Sequence, residues 1–289
     1  MKSKKQQMLS HLLNRFYQIF HEAVFPPKCL VCATFFRLSD QNRPGISANS
    51  GPDGQARPLS VQAQLAISLA TCLCPNCFTE LITVESPLCI CCGIPFAGRQ
   101  GQDHYCGACI ASGKKFGIAR APLVYDRIIT EVIHCFKYRG KIQLARPLGE
   151  LLLTAFMFFW DKDSIDTILP VPLHPGRFRR RGFNQAHLLI RNWPGMAAGG
   201  FCDSSNIRIE RDVLIRKIPT APQTALGRTQ RAINIKNAFD LNREETIVGK
   251  RVLLIDDVYT TGATVNECSR LLLSRGAQQV DVLTLARAI

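Results

Sequence analysis

The sequence predicts an α/β fold in which a parallel sheet is covered by helices and preceded by a small cysteine-rich region. From Asp126 to the C terminus, apolar runs of strand length alternate with longer stretches of helical periodicity. The candidate strands are apolar on both faces, as strands of a parallel sheet buried under helices are. Ahead of this region the cysteines recur as Cys-x-x-Cys pairs. These three observations predict a sheet domain that follows a metal-binding region.

The N-terminal segment, residues 1–28, predicts a short amphipathic helix. Its apolar residues recur at intervals of three and four, and polar residues interrupt every apolar run, so it does not resemble a secretory signal peptide. The most apolar run of the chain, Leu151–Trp160, is about half the roughly 20 residues needed to cross a bilayer. We therefore expect a cytoplasmic protein without a membrane span.

The next region, residues 29–112, is predicted to be a double zinc ribbon with a flexible insertion near 37–62 that is rich in Ser, Gly, Pro, Asn and Gln. Four Cys-x-x-Cys pairs supply the candidate ligands: Cys29, Cys32, Cys74, Cys77, Cys89, Cys92, Cys106 and Cys109. Two such pairs make one tetrahedral Cys₄ zinc site, so four pairs predict two structural zinc ions. A redox role is disfavoured because no βαβ pattern surrounds the pairs.

The pairing of these cysteines has two solutions in sequence. Sequential pairing joins the first pair with the second and the third with the fourth, and this is the arrangement we favour. A cross-braced arrangement remains open, and Cys72, Cys91 and His104 lie close enough in sequence to substitute as ligands.

In the sheet region, residues 113–289, hydrophobic periodicity and the residues that break helices and strands predict the secondary-structure elements. Helices are predicted at Arg127–Tyr138, Ala145–Trp160, Asn184–Arg191 and Thr264–Ser274. Strands are predicted at Thr167–Val171, Ile207–Ile215, Val252–Ile255 and Val280–Leu285. Ligands of parallel sheets bind at the carboxyl ends of the strands, so a functional site is expected there.

The most informative segment of the chain is Val252–Thr264. An apolar strand leads into two adjacent acids, Asp256 and Asp257, and a small hydroxylated loop then precedes a helix. Backbone N–H groups at a helix N-terminus suit a phosphate dianion, and paired carboxylates suit ribose hydroxyls or Mg²⁺. The structural alternative is a turn with Asp at the strand end and Thr capping the helix. The whole segment resembles the phosphoribosyl pyrophosphate (PRPP) motif of type I phosphoribosyltransferases, which implies PRPP binding by Asp256, Asp257, Thr260, Thr261, Gly262, Ala263 and Thr264.

Other cationic residues are candidates for the pyrophosphate end of such a ligand. Four arginines lie within the five positions 177–181, after the strand Thr167–Val171: Arg177, Arg179, Arg180 and Arg181. Arginine makes bidentate contacts with phosphates. We select Arg179 and Arg181 from this run, together with His174 and Lys137. The alternative interpretation is that the arginines form a solvated basic turn, that His174 has a structural role before a proline, and that Lys137 lies at the end of a surface helix.

The segment 216–234 is polar and basic and lies just before the acid pair. In related transferases a mobile loop at this position closes over the reaction. Arg228 and Arg231 are therefore candidate catalytic cations beside Asp256 and Asp257.

Several motifs outside the acid pair resemble those of the ComF family, known for a role in natural competence. They are the stretch 170–185 with its run of arginines, residues 133–140, residues 220–223 with Arg228, Arg231 and Asn234, residues 285–288, and the four Cys-x-x-Cys pairs. The resemblance implies a phosphoribosyltransferase fold behind a double zinc ribbon, in a cytoplasmic protein that acts on or with incoming single-stranded DNA.

The basic composition is compatible with that interpretation. Lys and Arg number 36 against 22 acids, a formal charge of +14, which favours an anionic partner such as a phosphate ligand or nucleic acid. PRPP with Mg²⁺ is the expected ligand, and single-stranded DNA and the DNA-uptake machinery are the expected partners. The alternative is a phosphoribosyltransferase of nucleotide metabolism that transfers ribose 5-phosphate to an unidentified acceptor, although no general base for a nucleobase is apparent in the sequence.

Overall fold

The structure is a computed structural model that describes residues 24–37, 65, 68–98, 101–196, 207–218 and 235–289. Its strands are β1 (Ala119–Arg120), β2 (Leu123–Val124), β3 (Thr167–Pro170), β4 (Arg208–Ile209), β5 (Leu214–Arg216), β6 (Phe239–Leu241), β7 (Arg251–Tyr259) and β8 (Gln279–Arg287). Its α-helices are α1 (Pro75–Thr79), α2 (Gly107–Ala111), α3 (Arg127–Tyr138), α4 (Ala145–Phe159), α5 (Pro175–Arg181), α6 (Gln185–Ile190), α7 (Trp193–Met196) and α8 (Ala263–Ser274). Short 3₁₀ turns lie at Ile142–Leu144, Lys162–Ser164 and Glu244–Thr246.

The main sheet is parallel, as predicted. Its strands run in the order β1–β8–β7–β3–β4, with β2 also pairing with β8. β7 lies between β3 and β8 and is in register with β8 from Arg251 opposite Gln279 to Tyr259 opposite Arg287. The carboxyl end of β7 is thus flanked by those of two parallel neighbours, the position expected for a ligand site.

Two hydrophobic cores cover the two faces of this sheet. Along β7, Leu253 and Ile255 belong to one core, and Val252 and Leu254 belong to the other. Neighbouring side chains of a strand point to opposite faces, so a continuous apolar run serves both cores.

The prediction of a single strand at Ile207–Ile215 is wrong. That segment is not one strand: β4 joins the main sheet beside β3, and β5 pairs in antiparallel fashion with β6 in a separate two-stranded sheet. A polar turn at 210–212 separates the two strands. β6 has only three residues, too few for periodicity to indicate it.

Within the described residues, the helical stretch Ile142–Phe159 has a mean hydropathy of 1.3 over 18 residues, and 56% of it is buried inside the protein. By length and composition alone it is a candidate for crossing a membrane, but α4 packs against α6 and β8, as a core helix does. The predicted N-terminal helix, apart from residues 24–28, and the predicted insertion, apart from Arg37, lie outside the described residues.

Candidate functional site

The acid pair lies within β7 rather than at its last residue, because pairing with β8 continues as far as Tyr259. The loop that follows leads to Gly262, the N-cap of α8, whose φ of 75° is in the left-handed region. A Cβ at this position would lie 2.2 Å from the Tyr259 hydroxyl oxygen. Both the backbone conformation and the space above Tyr259 therefore require glycine.

The two acids have different surroundings. Asp257 is buried and accepts a hydrogen bond from the Lys137 ammonium of α3, with Nζ and Oδ1 2.8 Å apart. Burial alone would lower the pKa of Lys137, but the Asp257 carboxylate outweighs it, so this pKa is raised. Burial, together with the charge of Asp257, raises the pKa of Asp256 to about 7. The first acid of the pair therefore changes its charge near neutral pH, and the second is held in an ion pair.

A cavity of about 530 Å³ opens at the carboxyl end of β7. The predicted site residues that line it are Lys137, Arg181, Asp256, Asp257, Thr260, Gly262, Ala263 and Thr264. The size is that of a pocket for a small ligand. The structure thus brings together the acid pair, most of the loop and two of the predicted cations.

Three predicted residues are not among those that line the cavity, namely His174, Arg179 and Thr261. His174 is the N-cap of α5, and its Nδ1 accepts a hydrogen bond from the Gly176 amide at 3.2 Å. The Thr261 hydroxyl oxygen accepts from the Ala263 amide at 3.3 Å. Arg228 and Arg231 lie outside the described residues.

The arginine run forms helix α5, and the helix separates its members. Arg177, Arg180 and Arg181 are spaced three and four residues apart, share one face and line the cavity, whereas Arg179 lies on another face. The Arg181 guanidinium also lies over the Tyr138 ring, 4.7 Å from its centroid. A second cavity of about 490 Å³ is lined by the same three arginines together with Lys137 and Tyr138, so the basic surface extends past the first cavity.

Arg216 and Gln185 line the cavity but were not selected from the sequence. Arg216 is buried on β5 with its guanidinium 5.4 Å from the centroid of the Phe239 ring, and burial, followed by the charge of Arg177, lowers its pKa. Gln185 is also buried, and its Nε2 has no hydrogen-bond partner within the described residues. Both residues lie beside the cavity because of how the tertiary structure buries them, and no local sequence pattern indicates that burial.

The cysteine pairs assemble in sequential order into two tetrads. The first tetrad is Cys29, Cys32, Cys74 and Cys77, the second is Cys89, Cys92, Cys106 and Cys109, and the sulfurs of each lie within 4.8 Å of one another. The sulfurs of Cys32 and Cys74 are 3.6 Å apart, and those of Cys92 and Cys106 are 3.7 Å apart. A tetrahedron with Zn–S distances of about 2.3 Å has its sulfurs about 3.8 Å apart, so both tetrads fit zinc.

Hydrogen bonds around the second tetrad also suit a bound metal. The amides of Cys92 and Cys106 point at the Cys89 sulfur, at 3.4 and 3.3 Å, as donors to a thiolate do. The alternative ligands Cys72, Cys91 and His104 belong to neither tetrad, and the His104 ring stacks on Phe96.

Comparisons with known proteins agree with this architecture. Residues 207–289 match the family model of a phosphoribosyl transferase domain. Competence protein F of Haemophilus influenzae is 30% identical over 229 residues, which cover 74% of this chain and 96% of the relative. DNA utilization protein YhgH of Salmonella typhi is 34% identical over 223 residues, covering 75% of this chain and 91% of the relative. A hypoxanthine phosphoribosyltransferase structure from Staphylococcus aureus is 16% identical with a TM-score of 0.30, covering 54% of this chain and 71% of that chain, a similarity too low to carry an argument.

Proposed function

The chain belongs to the ComF family, and from this premise we propose that it binds PRPP with Mg²⁺ and acts in natural competence, in the handling of incoming single-stranded DNA. The observation that carries the proposal is the cavity at the carboxyl end of β7. One wall is formed by the acid pair and the loop that begins α8, and the other by cationic side chains of α5. An anionic sugar phosphate is the class of ligand that suits both walls.

Each part of PRPP has a counterpart in this cavity. The loop Thr260–Thr264 opens a helix of 12 residues, whose N-terminus favours a phosphate dianion. Asp256 and Asp257 would accept from the vicinal ribose hydroxyls or hold Mg²⁺. The pyrophosphate would then lie against Arg177 and Arg180, whose guanidinium groups suit phosphate oxygens.

The same arrangement supports a transfer reaction as the alternative function, a phosphoribosyltransferase of nucleotide metabolism with an unidentified acceptor. Attack of the acceptor on the anomeric carbon would break the bond to the pyrophosphate oxygen, which keeps the electron pair. The arginines of α5 would stabilise the charge on the departing pyrophosphate, and Mg²⁺, when bound, would share it. Arg228 and Arg231 remain the predicted closing cations.

We also propose one structural zinc ion in each tetrad and a cytoplasmic location. Four thiolates around a zinc ion leave no open position, so the metals would stabilise the fold rather than activate water. The reducing cytoplasm keeps cysteine thiols available as ligands.

The proposal is tested by titration calorimetry with PRPP and Mg²⁺. The wild-type protein should bind, and the double variant Asp256→Asn with Asp257→Asn should lose detectable binding, since it removes both carboxylate charges and puts amide donors beside the ribose hydroxyls and Mg²⁺. Asp166→Asn is the matched control, because Asp166 pairs with Arg251 at the opposite end of β7. Equal affinity of the double variant and the wild type, with both folded by circular dichroism, would refute the assignment.

A further inference from the structure

The last residue of β8, Arg287, connects the second tetrad to the loop that follows the acid pair. It is buried, and its Nε donates to the Cys92 carbonyl at 3.1 Å while its Nη2 lies 3.6 Å from the Cys92 sulfur. Nη1 donates to the carbonyl oxygens of Tyr259 at 3.3 Å and of Thr260 at 2.8 Å. The guanidinium also lies over the Tyr259 ring, 4.0 Å from its centroid. One side chain thus joins segments 195 and 28 residues away in sequence.

The charge of Arg287 requires a partner. Across the described parts of the chain no carboxylate forms an ion pair with it, and its acceptors are three carbonyl oxygens and one cysteine sulfur. A buried cation without an anion is strongly destabilising. A zinc ion bound by four thiolates carries two net negative charges, so the loaded tetrad would supply the missing anion at Cys92.

The hydrogen bonds of Arg287 also orient the loop. In a trans peptide the C=O and N–H groups point in opposite directions. Because the carbonyls of Tyr259 and Thr260 are held on Arg287, the N–H groups of the following residues, Thr260 and Thr261, point away from it. The cavity is lined by Thr260 and Gly262 but not by Arg287. Tyr259, which lies under the guanidinium, leaves no room for a Cβ at Gly262.

We propose that Arg287 is a positioning residue that couples metal binding at the second tetrad to phosphate binding at the Thr260–Thr264 loop. The metal-bound thiolates hold the guanidinium, and the guanidinium holds the loop in its anion-binding conformation. This inference rests on the proposed function, since it assumes that the loop binds the phosphate of PRPP. Coupling between two sites is reciprocal, so PRPP must also stabilise the metal in the second tetrad.

The first test needs only the wild-type protein. Cysteine alkylation by N-ethylmaleimide in the presence of a zinc chelator, followed by peptide mass spectrometry, reports the loss of metal from each tetrad separately. PRPP with Mg²⁺ should slow alkylation of the second tetrad at least about 5-fold, the lower end of the usual range for coupled sites, and leave the first unchanged. The first tetrad is the internal control, because its buried members Cys29, Cys74 and Cys77 pack in the other core. Equal slowing of both tetrads, or slowing of neither, would overturn the inference if PRPP binds.

The second test compares two variants of Arg287 with one variant of Arg120. Arg287→Gln should weaken PRPP binding and abolish the protection of the second tetrad by PRPP, and Arg287→Lys, which keeps the charge but not the forked geometry, should restore part of both. Arg120→Gln is the matched control, because Arg120 donates to the ribbon carbonyl of Ile90 and to that of Ala119 and forms no hydrogen bond with the loop. It should leave the protection intact.

Failure of this inference is distinguishable from failure of the proposed function. If the wild type does not bind PRPP, the proposed function fails, and Arg287 is then judged without ligand: alkylation of the second tetrad must be several-fold faster in Arg287→Gln than in Arg120→Gln. If the wild type binds PRPP and Arg287→Gln binds and protects equally well, only the coupling is refuted.

Discussion

At the scale of single residues, the neighbouring acids of β7 have unequal electrostatic roles. Asp257 is neutralised by Lys137 of α3, so its charge is already compensated before a ligand arrives. Asp256 has no such hydrogen-bonded cation in the described residues and shares its surroundings with the Asp257 charge. The two adjacent acids therefore differ: Asp257 is held in an ion pair with Lys137, and the pKa of Asp256 is raised to about 7.

This difference predicts a pH dependence of stability. The pKa of Asp256 is about 7 in the folded protein, above its ordinary value in the unfolded chain. At pH values between these two pKa values the folded state binds more protons than the unfolded state, so the protein loses stability as pH rises towards 7. Asp256→Asn removes this loss. Between about pH 5.5 and about pH 8.5, the free energy of unfolding of Asp256→Asn should rise relative to wild type by roughly 2 kcal/mol. Urea unfolding at the two pH values measures it.

The control for this experiment is Asp166→Asn. The Arg251 side chain and amide hold the pKa of Asp166 down to about 2, so Asp166 does not titrate in this range. Its difference from wild type should be the same at both pH values. A pH-independent difference for Asp256→Asn as well would contradict the predicted titration.

At the scale of elements, the second cysteine ribbon is attached directly to the sheet edge. The Ala119 amide of β1 donates to the Cys91 carbonyl at 2.7 Å, and a Cβ on Gly93 would lie 2.4 Å from the Ala119 carbonyl oxygen. The first tetrad contributes to one core of the sheet and the second to the other. Loss of metal would therefore disturb both faces of the sheet. The division into domains at about residue 112 stays a prediction.

The tetrads predict about two zinc ions per chain, measurable by elemental analysis of the purified protein. Cys92→Ser should reduce the content to about one, because the second site loses one of its four ligands. Cys91→Ser is the matched control, since Cys91 is the buried neighbour that belongs to neither tetrad, and its content should stay at about two. Absence of zinc from wild-type protein grown with ample zinc would refute the metal assignment.

At the scale of the whole molecule, the chain carries a charge surplus of +14, and the cavity beside β7 is lined by five cationic side chains, Lys137, Arg177, Arg180, Arg181 and Arg216. The arginine face of α5 lines both cavities, so a ligand longer than PRPP could continue along the same basic surface. Three aromatic side chains near the cysteine pairs in sequence would be available to stack on bases only where they are exposed: Phe78 packs against a core and Phe96 stacks on His104, whereas Tyr105 is exposed. Phosphate contacts would thus dominate an interaction with single-stranded DNA.

We expect a labelled single-stranded oligonucleotide to bind at low salt, with affinity that falls steeply as salt rises, by a log–log slope of about −0.7 per phosphate contacted. PRPP should compete if the arginines of α5 are shared. Arg180→Gln should then weaken the binding of both the oligonucleotide and PRPP. Arg179→Gln should leave PRPP binding unchanged, because the two arginine side chains are both exposed but only Arg180 lines the cavity. Fluorescence anisotropy measures each case, and a lack of binding at low salt would favour the plain transferase.

The sequence alone determined the parallel α/β class, the apolar strand that carries the acid pair and the identity of the eight paired cysteines. It ended that strand at Ile255, before the acids, whereas β7 continues to Tyr259. These features are local: a continuous apolar run marks a strand buried on both faces, and a Cys-x-x-Cys spacing is short enough to meet one metal. Local spacing failed where an element was too short, as at β6, or where a turn interrupted an apolar segment, as between β4 and β5.

Only the tertiary structure decided which distant residues meet. The ion pair between Lys137 and Asp257, the burial of Arg216 beside the cavity and the contacts of Arg287 with Cys92 join segments far apart in the chain. The choice among the arginines of α5 also required the helix, since spacing in a helix and in a loop points the same residues to different sides. Such contacts depend on how the sheet brings its strands together, and periodicity within one segment carries no information about its neighbours in space.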